Sequence, residues 1–378
     1  MTQHTSRRAV LGAIGAGGLA FLAGCTDLSL FSDSGQAVTV GEEVETVTFV
    51  GSDPPADEPA NAPPFSDRVL PLPVSPAEMK EAATDGGPSK DGIPSIDDPK
   101  FVSPGEASEV DDDSIVLGVE RNGEAKAYPR GILVQHEIVN DVIDGMPVSV
   151  TYCPLTGTAL GFERGETTFG VSGMLVNNNL IMYDRELERW WPQIGAVSIP
   201  GEWHDTDGGA TLREFEVVRT TFEQWRNSYP ETVVLSSETG FARNYERDPY
   251  ENRGYYQNDG TIFGNIYEND HLHAKEWVYG GRTEEGAVAV TRERLHSEGI
   301  VDTELGGNSV VFVHDRDLDT AWLYRNPADA EFTHDGAVIT DTDGNEFAAD
   351  SLPLERIISF DAYWFAWIAY YPNTLLYE

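Results

Sequence analysis

The sequence predicts an α+β, β-rich fold made of two pseudo-symmetric copies of one hairpin–helix–strands unit packed into one domain. Three observations predict it. Slid 162 residues along itself, the chain brings Val116 and Gly118 onto Val278 and Gly280, Arg130 and Leu133 onto Arg292 and Leu295, and Gly145 and Val148 onto Gly307 and Val310, without a gap. The copies also end alike, with Trp225…Tyr229-Pro230-Glu231-Thr232 answered by Trp367…Tyr371-Pro372-Asn373-Thr374 at a different offset. Between these landmarks run short alternating apolar segments, punctuated by Gly, Asn and Asp, which is the pattern of half-buried strands and tight turns.

The elements follow in order. Ser114–Glu120 and Glu124–Tyr128 flank Arg121-Asn122-Gly123, a hairpin signal. Gly131 to Asn140 suits a short helix. After a turn at Asp144-Gly145, Val148, Val150 and Tyr152 share one strand face, and Ser149, Thr151 and Cys153 share the other. Ala159–Glu163, Thr167–Val171 and Leu180–Tyr183 read as further strands. Thr221 to Ser228 reads as an amphipathic helix closed by Tyr229-Pro230. The second copy repeats this order and closes on Phe360 to Tyr370. The expected organisation is a signal over 1–25, an acidic Pro-rich tether over 26–90, a first repeat over 91–235, a connection over 236–276 and a second repeat over 277–378.

Charge excludes whole classes of partner. Sixty-four acidic residues against 25 basic ones give a net charge of −39. Nucleic-acid binding and basic-patch docking on anionic lipid both need clustered Lys and Arg, so neither is expected. Lys occurs only at 80, 90, 100, 126 and 275. An acidic, Lys-poor globular chain is what a salt-loving archaeon uses, because molar salt shortens the Debye length to about 3 Å and screens self-repulsion. At the N-terminus Arg7-Arg8 precede an uncharged stretch from Ala9 to Gly24, too short for a span of about 20 residues. It ends in Leu22-Ala23-Gly24-Cys25, a lipoprotein processing box. The expectation is twin-arginine export and attachment to the outer face of the cell membrane through a lipid on Cys25. Cys153 is then the sole remaining thiol, so no intramolecular disulfide is expected.

His136-Glu137-Ile138-Val139-Asn140-Asp141 and Thr151-Tyr152-Cys153-Pro154-Leu155-Thr156-Gly157-Thr158-Ala159 resemble the domain-of-unknown-function 3179 family. So do Phe169-Gly170-Val171-Ser172-Gly173, Met182-Tyr183-Asp184-Arg185, Trp191-Pro192-Gln193 and Val234-Leu235-Ser236. The resemblance covers about 91–378 and implies a fold and a site, without an activity. It also implies a second thiol or selenol at position 156 in many members; Thr156 here speaks against a dithiol.

Cys153 closes a strand ahead of a Gly-containing turn, and its second-copy counterpart is Asp315, so the fold of that copy does not need the sulfur. An exposed, reactive or metal-binding sulfur is one reading, and a buried small apolar residue is the other. His136, on the short helix, is the expected partner, either lowering the thiol pKa or sharing copper or zinc with it. His136-Glu137-x-x-Asn140 has metalloprotease spacing but lacks the second His. Tyr152 and Thr156 flank the sulfur as hydrogen-bond donors, and Asp184, Arg185, Trp191 and Gln193 are expected to line a pocket. His271 and His273 share a face if their segment is a strand, which would suit a metal. Three functions stay open: a metal or thiol-redox site at Cys153 and His136, a non-catalytic envelope module holding a small molecule or protein, and a Cys-dependent hydrolase. Whether the chain is an enzyme is not decided at this level.

Overall fold

In the computed structural model the described residues are 37–41, 43–45, 47–50, 61–204, 207–336 and 338–378. The expected signal, and Cys25 with it, lies outside them. Strands dominate and every α-helix is short, so the β-rich α+β class holds. No helix among the described residues is long and apolar enough to cross a membrane.

The element bounds repeat at the offset of the sequence matches. Strands Ile115–Arg121 and Glu124–Pro129, helix Arg130–His136, and strands Ile138–Ile143, Met146–Cys153 and Thr158–Glu163 come first. They are answered by Trp277–Thr283, Gly286–Thr291, helix Arg292–Glu298, Ile300–Leu305, Asn308–Asp315 and Thr320–Arg325. Each half has one five-stranded sheet. In the first, the order is 218–221, 115–121, 124–129, 233–235, 101–102; in the second it is 359–363, 277–283, 286–291, 375–377, 38–39. Each half also has one four-stranded sheet, ordered 214–215, 158–163, 146–153, 138–143 and 356–357, 320–325, 308–315, 300–305.

Local chemistry explains the repetition. Asn122-Gly123 and Asp144-Gly145 both have positive φ at the two turn positions, the geometry of a two-residue hairpin that matches strand twist. Helix Phe222–Ser228 starts on a capping box between Thr221 and Gln224. Its Trp225 is fully buried on the strand containing Gly118, where a Cβ would stand 2.2 Å from the indole. The second half repeats this with Trp367 and Gly280, at 2.3 Å. Even the indole hydrogen bonds correspond, Trp225 Nε1 donating to Thr232 Oγ1 at 2.9 Å and Trp367 Nε1 to Thr374 Oγ1 at 3.0 Å.

Two boundaries differ from expectation. The helix predicted over Gly131–Asn140 ends at His136, and Ile138 already begins a strand. The tether expected to reach 90 joins the fold earlier. Val38–Thr39 pairs with Leu375–Leu376, Phe65–Ser66 with Thr211–Leu212, and Pro76–Glu81 is a capped helix. Leu70, Leu72 and Met79 are fully buried, which offsets the cost of ordering a Pro-rich segment. One feature is not repeated. The first half carries a sheet of 84–85, 169–176, 179–184 and 190–192, where the second has only the small sheet of 332–335, 338–341 and 346–347.

Candidate functional site

Cys153 ends its strand opposite Thr158 and is 1 % exposed. Of the two readings of Cys153, the buried sulfur is the one found: alternation puts it on the face that the unrepeated sheet covers. The following turn is tight, with Gly157 N–H donating to the Cys153 carbonyl at 2.9 Å. Gly157 has φ +71, and a Cβ there would come within 2.7 Å of Trp277 from the second half. The turn is held from that side as well, because Tyr363 N–H donates to the Thr156 carbonyl at 3.1 Å.

The sulfur sits among hydrogen-bonding groups of both kinds. Its S–H donates to the Asn178 carbonyl at 3.6 Å. The backbone N–H groups of Thr156 and Leu180 favour the thiolate. Burial dominates, however, and pushes the thiol pKa up, with the Glu137 charge adding to it. Cys153 and Glu137 line one cavity of about 190 Å³, walled by Leu155, Val171, Met174, Leu175 and Leu180. Tyr250, Arg253, Ile262 and Phe263 of the connecting segment close it on one side, and Gly86 and Pro88 on another. The Asn177-Asn178 turn clamps that segment: Phe263 N–H donates to Asn178 Oδ1 at 2.9 Å and Ile266 N–H to Asn177 Oδ1 at 2.8 Å.

Glu137 is the carboxyl that sequence reasoning missed. It caps helix Arg130–His136 in a left-handed conformation, φ +60, while its counterpart Gly299 has φ +79. Helix C-termini favour Gly there, because any Cβ adds strain of about 1–3 kcal/mol. The signal was present, since an acid stands where the other half has Gly. Burial pushes the Glu137 pKa up to about 8. Near neutral pH both groups are protonated, and ionising either raises the cost of ionising the other.

His136 does not line this cavity. Its Nδ1 lies 2.7 Å from the Pro94 carbonyl and its Nε2 2.7 Å from the Tyr245 hydroxyl. Burial lowers its pKa, so the ring is neutral at pH 7. The carbonyl only accepts, so Nδ1 carries the proton and Nε2 accepts from Tyr245. No lone pair is left for a metal shared with Cys153, and the expected Cys153–His136 pair is corrected to Cys153–Glu137. The ring instead ties the helix to the connecting segment.

The other expected residues also have structural occupations. Tyr152 faces the opposite side of the strand, and its hydroxyl meets Arg130. Neither expected hydroxyl donates to the sulfur, because the Thr158 proton goes to Gln193 Oε1 and Thr156 Oγ1 therefore donates to Thr158 Oγ1 at 2.8 Å. Gln193 is buried in a network, donating to Thr151 Oγ1 at 2.8 Å and accepting from Thr158 Oγ1 at 2.7 Å and Asn179 Nδ2 at 2.8 Å. It fixes the turn after Cys153 rather than lining the cavity. Asp184 accepts from Trp191 Nε1 at 2.9 Å and Leu187 N at 2.6 Å, so both Asp184 and Trp191 belong to the core. Arg185 is taken up by Asp97 at 2.8 Å and Asp91 at 3.2 Å. His271 and His273 lie outside any strand, so the expected strand face is not formed. They pair separately with Glu378 and Asp259, each at 3.0 Å.

A second cavity of about 220 Å³ is lined by Trp225, Tyr229, Trp322, Glu216 and Arg356. Arg356 stacks on Trp322 and pairs with Glu216 at 2.9 Å, and no thiol or histidine lines the space.

No curated protein and no solved structure matches the chain. A family model described as "Protein of unknown function (DUF3179)" matches residues 90–374, a span that includes Cys153, Glu137 and the cavity walls other than Gly86 and Pro88. The chain belongs to the DUF3179 family.

Proposed function

We propose that the first half is a single-thiol redox centre in which Cys153 is the nucleophile, Glu137 carries its proton, and the cavity admits a small apolar electrophile. The observation that carries this reading is the shared cavity: a thiol whose ionised form two backbone N–H groups favour, beside a carboxyl kept at a strained left-handed position. A buried Cys in mere packing needs neither.

The reactant class proposed is an organic hydroperoxide, whose apolar body suits the lining. The Cys153 Sγ bonds to the terminal peroxide oxygen as the O–O bond breaks. The thiol proton passes through Glu137 to the departing alkoxide. Sulfur is oxidised to the sulfenic acid and the peroxide is reduced to an alcohol. With Thr156 where a second thiol would sit, an external low-molecular-weight thiol returns Cys153 to its reduced form: one equivalent releases water and forms a mixed disulfide, and a second displaces it.

We further propose that the chain is an exported lipoprotein of a salt-loving archaeon, held at the outer face of the membrane through Cys25. The twin arginines, the uncharged stretch, the Cys25 box and the Lys-poor acidic composition support this. Incubation of the purified protein in molar salt with cumene hydroperoxide and a sulfenic-acid trap tests the redox reading by mass spectrometry. One adduct on Cys153 is expected. Absence of that adduct, with Cys153 labelling normally once the protein is denatured, would overturn it.

A second reading, a binding module that holds an apolar molecule without chemistry, is favoured by the apolar lining and by exposed Ile262 at the rim. It predicts that Cys153→Ser binds such a molecule as well as the parent does.

A further inference from the structure

We propose that the second half carries a separate site for a divalent transition metal, formed by His296, His314 and Asp319. Among the described residues these are the one group of three His, Cys, Asp or Glu side chains whose ligand atoms lie mutually close, all within 4.8 Å. They come from three different elements. His296 lies on the helix Arg292–Glu298, His314 near the end of the strand Asn308–Asp315, and Asp319 on the turn that follows.

Both imidazoles address one carboxylate oxygen. His296 Nε2 is 3.1 Å and His314 Nε2 3.3 Å from Asp319 Oδ1. Bonds of about 2.0–2.1 Å at tetrahedral angles put ligand atoms about 3.3–3.4 Å apart, so two of the three spacings already fit an ion. Asp319 Oδ2 is engaged by Arg292, which leaves Oδ1 to bind in a monodentate way. His296 Nε2 is buried with no hydrogen-bond partner, although it lies close to Oδ1. An ion would supply the partner that the geometry withholds. The two rings stack at 4.2 Å and 16°, so binding tilts their Nε2 edges toward each other and gives up part of that stacking.

Asp319 has φ +52, a left-handed position whose first-half counterpart is Gly157 at φ +71. Two imidazoles and a carboxylate suit a borderline divalent ion, and three protein ligands leave at least one coordination position for water or an external ligand. Asp319 and His296 are partly exposed, so such a ligand has access.

Titration of the purified full chain with Co²⁺ and Zn²⁺ in high salt tests this. One equivalent of Co²⁺ should develop the intense visible bands of a four- or five-coordinate ion, and stoichiometric Zn²⁺ should abolish them. His296→Ala and Asp319→Asn should each weaken binding at least tenfold, while Cys153→Ser and His273→Ala should not. X-ray absorption of the Zn²⁺ form should show an N/O shell with two imidazoles and no sulfur, a readout that needs no variant. Only the faint spectrum of an ion on surface carboxylates, bands that survive in a folded His296→Ala protein, or sulfur in the Zn²⁺ shell would overturn the proposal.

Discussion

The two halves share strand order, helix position and the glycine–tryptophan contact, yet they put different chemistry at the same turn. In the first half Cys153 ends the strand, Gly157 turns the chain, and Glu137 occupies the helix cap. In the second, Asp315 replaces the thiol, Asp319 replaces the turn glycine, and Gly299 takes the cap. The first half keeps Glu137 and the hairpin residue Asp144 at positive φ where the second has Gly299 and Gly306, and the second keeps Asp319 where the first has Gly157. The lesson is that the scaffold and its reactive groups are separable. Buried aromatics and hairpins set the scaffold, and the residues at the helix cap and the turn vary on it.

The largest expected break in this comparison is a pH effect confined to the first half. Glu137 has its folded pKa raised to about 8, against an ordinary value of 4.5. The unfolded chain releases this proton first, so the stabilising contribution is complete below 4.5 and is lost as pH rises through about 8. The loss is on the order of 4–5 kcal/mol, at about 1.4 kcal/mol per pH unit. Denaturant unfolding at pH 5 and pH 8.5 should show Glu137→Gln losing much less stability over that interval than the parent. Equal losses would contradict the burial of this carboxyl.

Next come Gly118→Ala and Gly280→Ala, which insert a methyl group into the Trp225 and Trp367 contacts. Each is expected to cost about 3 kcal/mol, at the upper end of ordinary overpacking. Comparable midpoint shifts in denaturant are predicted. A large cost in one half only would show that the two contacts are not energetically equivalent. Smaller still are Thr232→Val and Thr374→Val, which leave a buried indole N–H without an acceptor, at about 1–2 kcal/mol each. Cooperative unfolding should report near-equal losses, and an unchanged midpoint would remove these hydrogen bonds from the account.

How much of this was legible in the sequence depends on whether the cause was local. Hairpins at Asn122-Gly123 and Asp144-Gly145, the helix before Tyr229-Pro230 and the 162-residue offset are local or periodic, and they are readable. The face on which Cys153 lies followed from alternation, but what covers that face did not, because the sheet of 169–192 and the connecting segment arrive from elsewhere in the chain. The sequence points to His136 rather than Glu137 at the thiol, because the pattern suits a helix running from Gly131 to Asn140. Ending the helix at His136 puts residue 137 in the turn and turns it toward the cavity. Leu70, Leu72 and Met79 were hidden among prolines, where their burial depends on distant partners. His314 and Asp319 were detectable in principle, as the second-half substitutes for Tyr152 and Gly157, but His296 joins them only through the packing of helix against strand.

The central claim is that Cys153 and Glu137 exchange a proton inside one cavity. It is tested most directly by the pH dependence of Cys153 alkylation with a small apolar reagent in the folded protein, parent against Glu137→Gln. The account predicts a parent rate that inflects near pH 8, where Glu137 ionises, and a variant in which that inflection is gone while labelling of denatured protein is unchanged. Superimposable profiles from the two folded proteins would contradict it.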